Sequence, residues 1–211
     1  MPNPDLYPAP TREEITGLVL AGGRGTRMGT VDKGLQDFAG QPMVAHVIAR
    51  LAPQVAALMV NANQNLDRYK TFGHPVLEDA VSGFAGPLAG LHTGLLQCQT
   101  PWLVTAPCDS PFVPLDLVAR LAQAQQRTGA DIVVPVTTRG STRQPHPVFC
   151  LARANLLAHL GSYLANGGRK VDGWYSTIFF EEVEFDDEAA FRNINTLAEL
   201  TAWAAEQHHD R

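Results

Sequence analysis

Residues 17–34 read GLVLAGGRGTRMGTVDKG, an apolar run passing into Gly22, Gly23, Gly25 and Gly29, with Arg24, Arg27 and Lys33 alongside. Backbone without side chains can turn its amides toward an anion at close range. Guanidinium and ammonium groups supply the charge-assisted hydrogen bonds that phosphate oxygens accept. Glycines after a strand also make ordinary turns, but turn-making has no use for three cations in ten positions. The chemistry suggested is the binding of a polyphosphate; a triphosphate carries about four negative charges, so a basic loop is required in an acidic chain. Two familiar phosphate loops do not fit. A dinucleotide G-x-G-x-x-G would need glycine where Met28 stands, and a Walker loop would need Gly-Lys-Ser/Thr where the chain has Asp32-Lys33-Gly34.

A second group of polar residues follows later apolar runs: Asn61 to Asn63, Glu78-Asp79, and Pro107-Cys108-Asp109-Ser110-Pro111. A magnesium ion bridging phosphates takes such a carboxylate as Asp109 and fills its other positions with water. The competing role is a turn or helix-cap aspartate.

Elements that would position these residues can be read from periodicity and punctuation. Strands are expected over 15–20, 56–60, 75–77, 102–106 and 131–136, and strand-like residues over 148–151, able to pair antiparallel with 131–136 across a polar loop at 137–145. A late strand is expected over 178–185. Helices are expected over 42–51, with Pro42 in the first turn, and over 87–97, 115–126, 152–165 and 196–207. Strand and helix alternate, and the polar groups cluster where strands end. That pattern implies an α/β fold, a three-layer α/β/α sandwich on a mostly parallel, Rossmann-like sheet. Ligands in such sheets lie at strand carboxyl ends where connections diverge. Residues 1–14 read as a flexible lead-in and 15–211 as one domain.

The 211 residues carry a net charge of −5, which argues against a nucleic-acid partner. Apolar residues make up 45% and charged ones 18%, as in soluble globular domains. No apolar run is long enough to span a bilayer. Cys98, Cys108 and Cys150 form no C-x-x-C pair and no even-numbered disulfide framework. The proline-rich start lacks the features of a secretory signal, so the expected compartment is the cytoplasm.

Taken in order, Leu20-Ala21-Gly22-Gly23, Arg27-Met28-Gly29, Val31-Asp32-Lys33-Gly34, Val60-Asn61-Ala62-Asn63, Glu78-Asp79, Gly86-Pro87-Leu88-Ala89-Gly90, Cys108-Asp109-Ser110-Pro111 and Asn193-Ile194-Asn195-Thr196 resemble the signature of nucleotidyltransferases, most of all the molybdenum cofactor guanylyltransferases. The likeness runs from residue 17 to about 200, nearly the whole chain. It implies a nucleotide-diphospho-sugar transferase type of fold and transfer of GMP from GTP to molybdenum-molybdopterin, with release of pyrophosphate. It also implies Mg2+ as cofactor, and cofactor-delivery proteins and chaperones of recipient molybdoenzymes as partners. An acceptor phosphate is already ionised, so the catalytic task is charge neutralisation and alignment rather than proton removal.

By the same resemblance, Lys33, Arg27 and Asp109 are the catalytic candidates and Asp109 the metal ligand. Leu20, Ala21, Gly22, Gly23, Lys33, Asn61, Asp79 and Asp109 are the GTP contacts, and Asn193 and Asn195 the acceptor contacts. Guanine presents adjacent N1–H and N2 amino donors, which one carboxylate accepts together, and Asp79 is the candidate for that pairing. Gly22, in place of the alanine of cytidylyl relatives, favours guanine. Other readings stay open. Thr196 to Glu199 forms a helix capping box. Arg169 and Lys170 either hold acceptor phosphate or start a solvated helix, His146 serves a loop, and Cys108 is a small buried side chain. Alternatives to the guanylyltransferase are a cytidylyl or sugar-phosphate transferase, or a non-catalytic nucleotide- or cofactor-binding protein.

Overall fold

The computed structural model describes residues 8–22, 32–81 and 86–194. In chain order its strands and α-helices are β1 (Ile15–Leu20), β2 (Asp37–Phe38), β3 (Gln41–Pro42), α1 (Met43–Leu51), β4 (Ala57–Asn61), α2 (Leu66–Lys70), β5 (Val76–Leu77), α3 (Pro87–Gln97), β6 (Trp102–Pro107), α4 (Leu117–Thr128), β7 (Ile132–Arg139), β8 (Thr142–Pro145), β9 (Cys150–Arg153), α5 (Leu157–Ala165), α6 (Val171–Tyr175) and β10 (Phe180–Phe185). The main sheet runs β10-β7-β9-β6-β1-β4-β5, with β8 paired to β7. β1 lies parallel to β4 and β6, β4 to β5, and β7 to β10. β9 runs antiparallel to β6 and β7, and β8 antiparallel to β7.

β1 and β6 read as mostly apolar runs, broken by the buried Thr16 and Thr105, because both faces of the central sheet are covered. Successive side chains point to opposite faces. Val19 and Val104 join Val44, Val47 and Leu51 of α1 and Leu117 and Leu121 of α4 in one cluster. Leu18 and Leu103 join Leu88, Leu91 and Leu95 of α3, Leu160 and Leu164 of α5, and Trp174 of α6 in the other. The result is the expected three-layer α/β/α sandwich, on a mixed sheet that is mostly parallel.

Chain direction creates the crevice. From β1 the chain passes through α1, on one face, to β4. It returns through α3, on the opposite face, to β6 on the other side of β1. The two connections diverge above the carboxyl end of β1, where such sheets bind ligands. α3 opens with Pro87, whose missing N–H costs nothing in a first turn.

Several boundaries depart from expectation. Pro42 ends β3 and caps α1 instead of lying in its first turn. The loop expected over 137–145 is a hairpin: β7 continues to Arg139, turns at Gly140 (φ 60°), and pairs with β8. All four β8 residues are exposed, so no apolar alternation marks that strand. The helix expected over 152–165 starts only at Leu157, because Ala152 is held in the sheet between Leu103 and Ile132. Inside the expected lead-in, residues 12–14 form a 3₁₀ turn, and Arg12 Nε donates to Pro53 O at 3.0 Å. The helix expected over 196–207 lies outside the described residues.

Candidate active site

Lys33 and Asp109 are 76 residues apart in sequence and meet above the sheet, with Nζ 3.4 Å from Oδ2. Asp109 stands two residues past β6. Its loop is tied to the end of β1 by Cys108 N–H donating to Leu20 O at 3.0 Å. The Asp109 carbonyl accepts the N–H of Ile194 at 2.9 Å. Lys33 opens a 3₁₀ turn over 33–35, anchored by the buried Asp32. Asp32 Oδ1 accepts the Tyr69 hydroxyl at 2.6 Å and Oδ2 accepts Asn65 Nδ2 at 3.0 Å. Glycine is required next to Lys33: a Cβ on Gly34 would lie 2.6 Å from Tyr69 Oη and 3.0 Å from Cys108 Sγ.

Electrostatics at this end follow from burial. Desolvation raises the Asp109 carboxyl above its ordinary value, and the Lys33 ammonium and hydrogen bonds pull it back. The Cys108 thiol is pushed well up by burial and by the carboxylates of Asp109 and Asp32, so it stays protonated and is not a nucleophile. That agrees with the small-buried-side-chain reading.

The other end of the crevice is built on β4 and β5. Asn61, 2% exposed, donates from Nδ2 to Asp79 Oδ1 at 2.9 Å and to Leu77 O at 3.2 Å. Asn63 Nδ2 donates to Asp79 Oδ2 at 2.8 Å. Ala80 N–H donates to Thr93 Oγ1 of α3 at 2.9 Å, pinning the segment after Asp79. Close approach again demands glycine: a Cβ on Gly22 would lie 2.9 Å from both Asn61 Oδ1 and Asn63 Nδ2, and one on Gly90 2.4 Å from Asn61 Oδ1.

Both ends face one cavity of about 320 Å³, lined by Leu20, Ala21, Gly22, Asp32, Lys33, Asn61, Asp79, Gly86, Pro87, Pro107, Cys108, Asp109, Val148 and Asn193. That volume is within the range that takes a small ligand. A second, more polar cavity of about 380 Å³ adjoins it and shares Pro107, Val148 and Asn193. Asn193 stands at the shared wall, where its Oδ1 accepts the Ser110 hydroxyl at 2.6 Å. His146 lines the second cavity; its Nε2 is 2.8 Å from Thr137 Oγ1 and its ring stacks on Phe191 at 4.6 Å.

Of the candidates named from sequence, Leu20, Ala21, Gly22, Lys33, Asn61, Asp79, Asp109 and Asn193 all line the first cavity. Gly23, Arg27 and Asn195 lie outside the described residues. Arg169 and Lys170 line neither cavity; Arg169 Nη1 donates to Leu164 O at 3.0 Å at the end of α5, a helix-terminus contact. Sequence reading passed over Asp32, Asn63, Asn65, Tyr69 and Ser110 as functional residues. Asp32, Asn63 and Ser110 sit inside quoted motifs, which was signal enough. Tyr69 and Asn65 carry no local signal, because their partner is more than thirty residues away.

No cluster of three or more metal-ligating side chains occurs among the described residues. A cage of that kind is not what magnesium uses with nucleotides: one or two carboxylates and the substrate's own phosphates suffice. Asp109, a mostly enclosed carboxylate at the cavity wall, fits that requirement.

Residues 17–178 match the family described as MobA-like NTP transferase domain. A protein of Cupriavidus necator named molybdenum cofactor guanylyltransferase is 59% identical over 190 residues, covering 90% of this chain and 96% of that one. One of the same name from Ralstonia nicotianae is 59% identical over 192 residues, covering 89% and 94%. Among solved structures, molybdopterin-guanine dinucleotide biosynthesis protein A of Archaeoglobus fulgidus superposes with a TM-score of 0.74 at 22% identity, over 93% of this chain and 100% of that one. CMP:2-keto-3-deoxy-manno-octonic acid synthetase, solved with CTP, superposes at 0.71 with 14% identity, over 95% and 100%, a likeness of fold alone. The chain therefore belongs to the MobA-like NTP transferase family.

Proposed function

We propose that this protein transfers GMP from GTP to molybdenum-molybdopterin, yielding the molybdopterin guanine dinucleotide form of the cofactor and pyrophosphate. The observation that carries the reading is a single cavity with two chemically distinct ends: the Lys33–Asp109 pair at one, the Asn61–Asp79 pair at the other. The shared name of relatives with well over half their residues identical supports the choice of substrates.

In this reading the acceptor's terminal phosphate oxygen attacks the α-phosphorus of GTP. A new P–O bond forms, and the bond to the bridging oxygen of pyrophosphate breaks. Lys33 holds β- and γ-phosphate oxygens and screens the leaving group, and Arg27 adds charge from the glycine-rich loop. Asp109 is the carboxylate that would hold Mg2+, which would supply neutralisation of phosphate charge. Asp79 accepts from the guanine edge and Asn61 orients it. Leu20, Ala21, Gly22 and Gly23 offer backbone groups to base, ribose and phosphates. Asn193 and Asn195 are the residues assigned to the acceptor. No general base is called for, since the nucleophile is ionised before it arrives.

The three cysteines are free thiols, which suits the reducing cytoplasm as the place of work. None of the described helices is long and apolar enough to cross a membrane. Incubation with magnesium, molybdenum-molybdopterin and either GTP or CTP, followed by product mass, tests the assignment. A guanine dinucleotide is expected. A cytosine product overturns the base assignment, and no product with either nucleotide overturns the enzyme reading.

A further inference from the structure

Asn63 is exposed and lies two residues past β4, yet every polar atom of its amide is engaged. Its Nδ2 donates to Asp79 Oδ2 at 2.8 Å and to Gly22 O at 3.3 Å, and its Oδ1 accepts the backbone N–H of Asp79 at 2.9 Å. Asn61 Nδ2 occupies the other carboxylate oxygen at 2.9 Å. Each oxygen of Asp79 therefore receives one amide donor and keeps acceptor capacity for one more.

Resting on the reading that Asp79 pairs with guanine, we infer that Asn63 is a positioning residue for purine recognition. The torsion that turns an aspartate carboxylate about its own axis is broad and weakly restrained. One donor on one oxygen leaves it free to swing; a donor on each oxygen fixes its plane. Guanine requires that plane, because its N1–H and N2 amino group must meet two oxygens at once. Hypoxanthine offers only the N1–H and makes a lesser demand. Asn63 also bridges the carboxylate to the carbonyl of Gly22, so the wall after β1 and the residue after β5 keep one relative placement. Its exposure separates this role from core packing: removing the amide deletes no buried contact.

The test uses the full chain with GTP and ITP, by calorimetric titration in magnesium and by steady-state turnover. Asn63→Ala is expected to weaken GTP binding about tenfold, the loss of a charge-assisted hydrogen bond and its partner. ITP binding should weaken less, so that preference for GTP narrows, with kcat and melting temperature nearly unchanged. Asn63→Asp keeps the shape but cannot donate, and it sets a like charge beside Asp79, so it should bind GTP more weakly than Asn63→Ala. Asp79→Asn serves as the control on the underlying reading. If that control leaves GTP affinity and the GTP/ITP preference intact, the pairing of Asp79 with guanine is wrong and the inference falls with it. If the control loses both while Asn63→Ala keeps both, the pairing stands and the role of Asn63 is wrong. Equal loss of GTP and ITP binding with a lowered melting temperature would mark a structural role and also overturn it.

Discussion

Lys33 and Asp109 form an ion pair with Nζ 3.4 Å from Oδ2, a contact that an arriving phosphate or metal ion has to open. Lys33→Ala should lower kcat by about 10²–10³, the usual cost of losing one preorganised donor to developing charge, while the fold stays intact. Single-turnover rates alongside melting curves check this, and a loss of less than about threefold would remove Lys33 from the chemistry. For Asp109, burial adds a pH signature. Its carboxyl holds its proton above the ordinary 3.8. Over the window just above that value the folded chain then binds more protons than the unfolded one, so this group's contribution to stability falls as pH rises. Asp109→Asn removes that slope. Urea titrations across the window should show the wild type losing stability relative to the variant as pH increases, and parallel curves would refute the assignment. The same variant should bind GTP while losing turnover.

At the scale of elements, the segment that aims Lys33 is held from below. Tyr69, on α2 and fully buried, donates to Asp32 within a pocket that Gly34 leaves open. Burial pushes the Tyr69 hydroxyl far above its ordinary range, so it remains a donor at any working pH. Tyr69→Phe strips a buried carboxylate of a partner and should cost about 1–3 kcal/mol of stability. It should also lower kcat more than it raises the KM for GTP, because the displaced group is Lys33 and not the base pocket. Chemical denaturation and steady-state kinetics on one preparation read both effects; an unchanged kcat would show that the turn holds itself. Nothing near Tyr69 in sequence announces this job. An apolar-aromatic residue on a five-residue helix reads as core, and it is core, with one polar tip turned to the site.

For the whole molecule, two histidines contribute to acid sensitivity. Burial lowers the values of both His92 and His146 below the ordinary 6.5, with Glu188 opposing the shift at His146. The unfolded chain therefore takes up protons first, and stability present above about 6.5 is lost as pH falls through the lowered values. His146→Gln should flatten the fall of melting temperature with acidity, even if it lowers the curve as a whole through the lost Phe191 stack. Melting curves taken from pH 7.5 down to about 5 check the slope; an unaltered slope would assign the acid sensitivity elsewhere.

Local chemistry made much of this protein legible. β1 is bounded by the residues that periodicity predicts, because a strand covered on both faces is largely apolar and glycines follow it closely. α3 begins and ends where Pro87 and Gln97 predict, since proline fixes a first turn. The glycine-rich, cation-bearing segment marked a candidate anion site and the carboxylate after β6 a candidate metal ligand, because each residue type states its chemistry wherever it stands. The antiparallel pairing of 148–151 with 131–136 was legible, since β9 does run antiparallel to β7, but the other pairings were beyond reach of the sequence alone. The hairpin at 137–145 has no apolar face, so only its ladder to β7 makes it a strand. Ala152 is strand and not helix because two neighbours claim its backbone. That Lys33 meets Asp109, that Tyr69 underpins Asp32, and that Asn63 and Asn61 divide the two oxygens of Asp79 are all consequences of strand order. Such contacts join residues that only the closed sheet brings within a few ångströms, and hydrogen-bond and Coulomb forces of that range leave no trace in local composition.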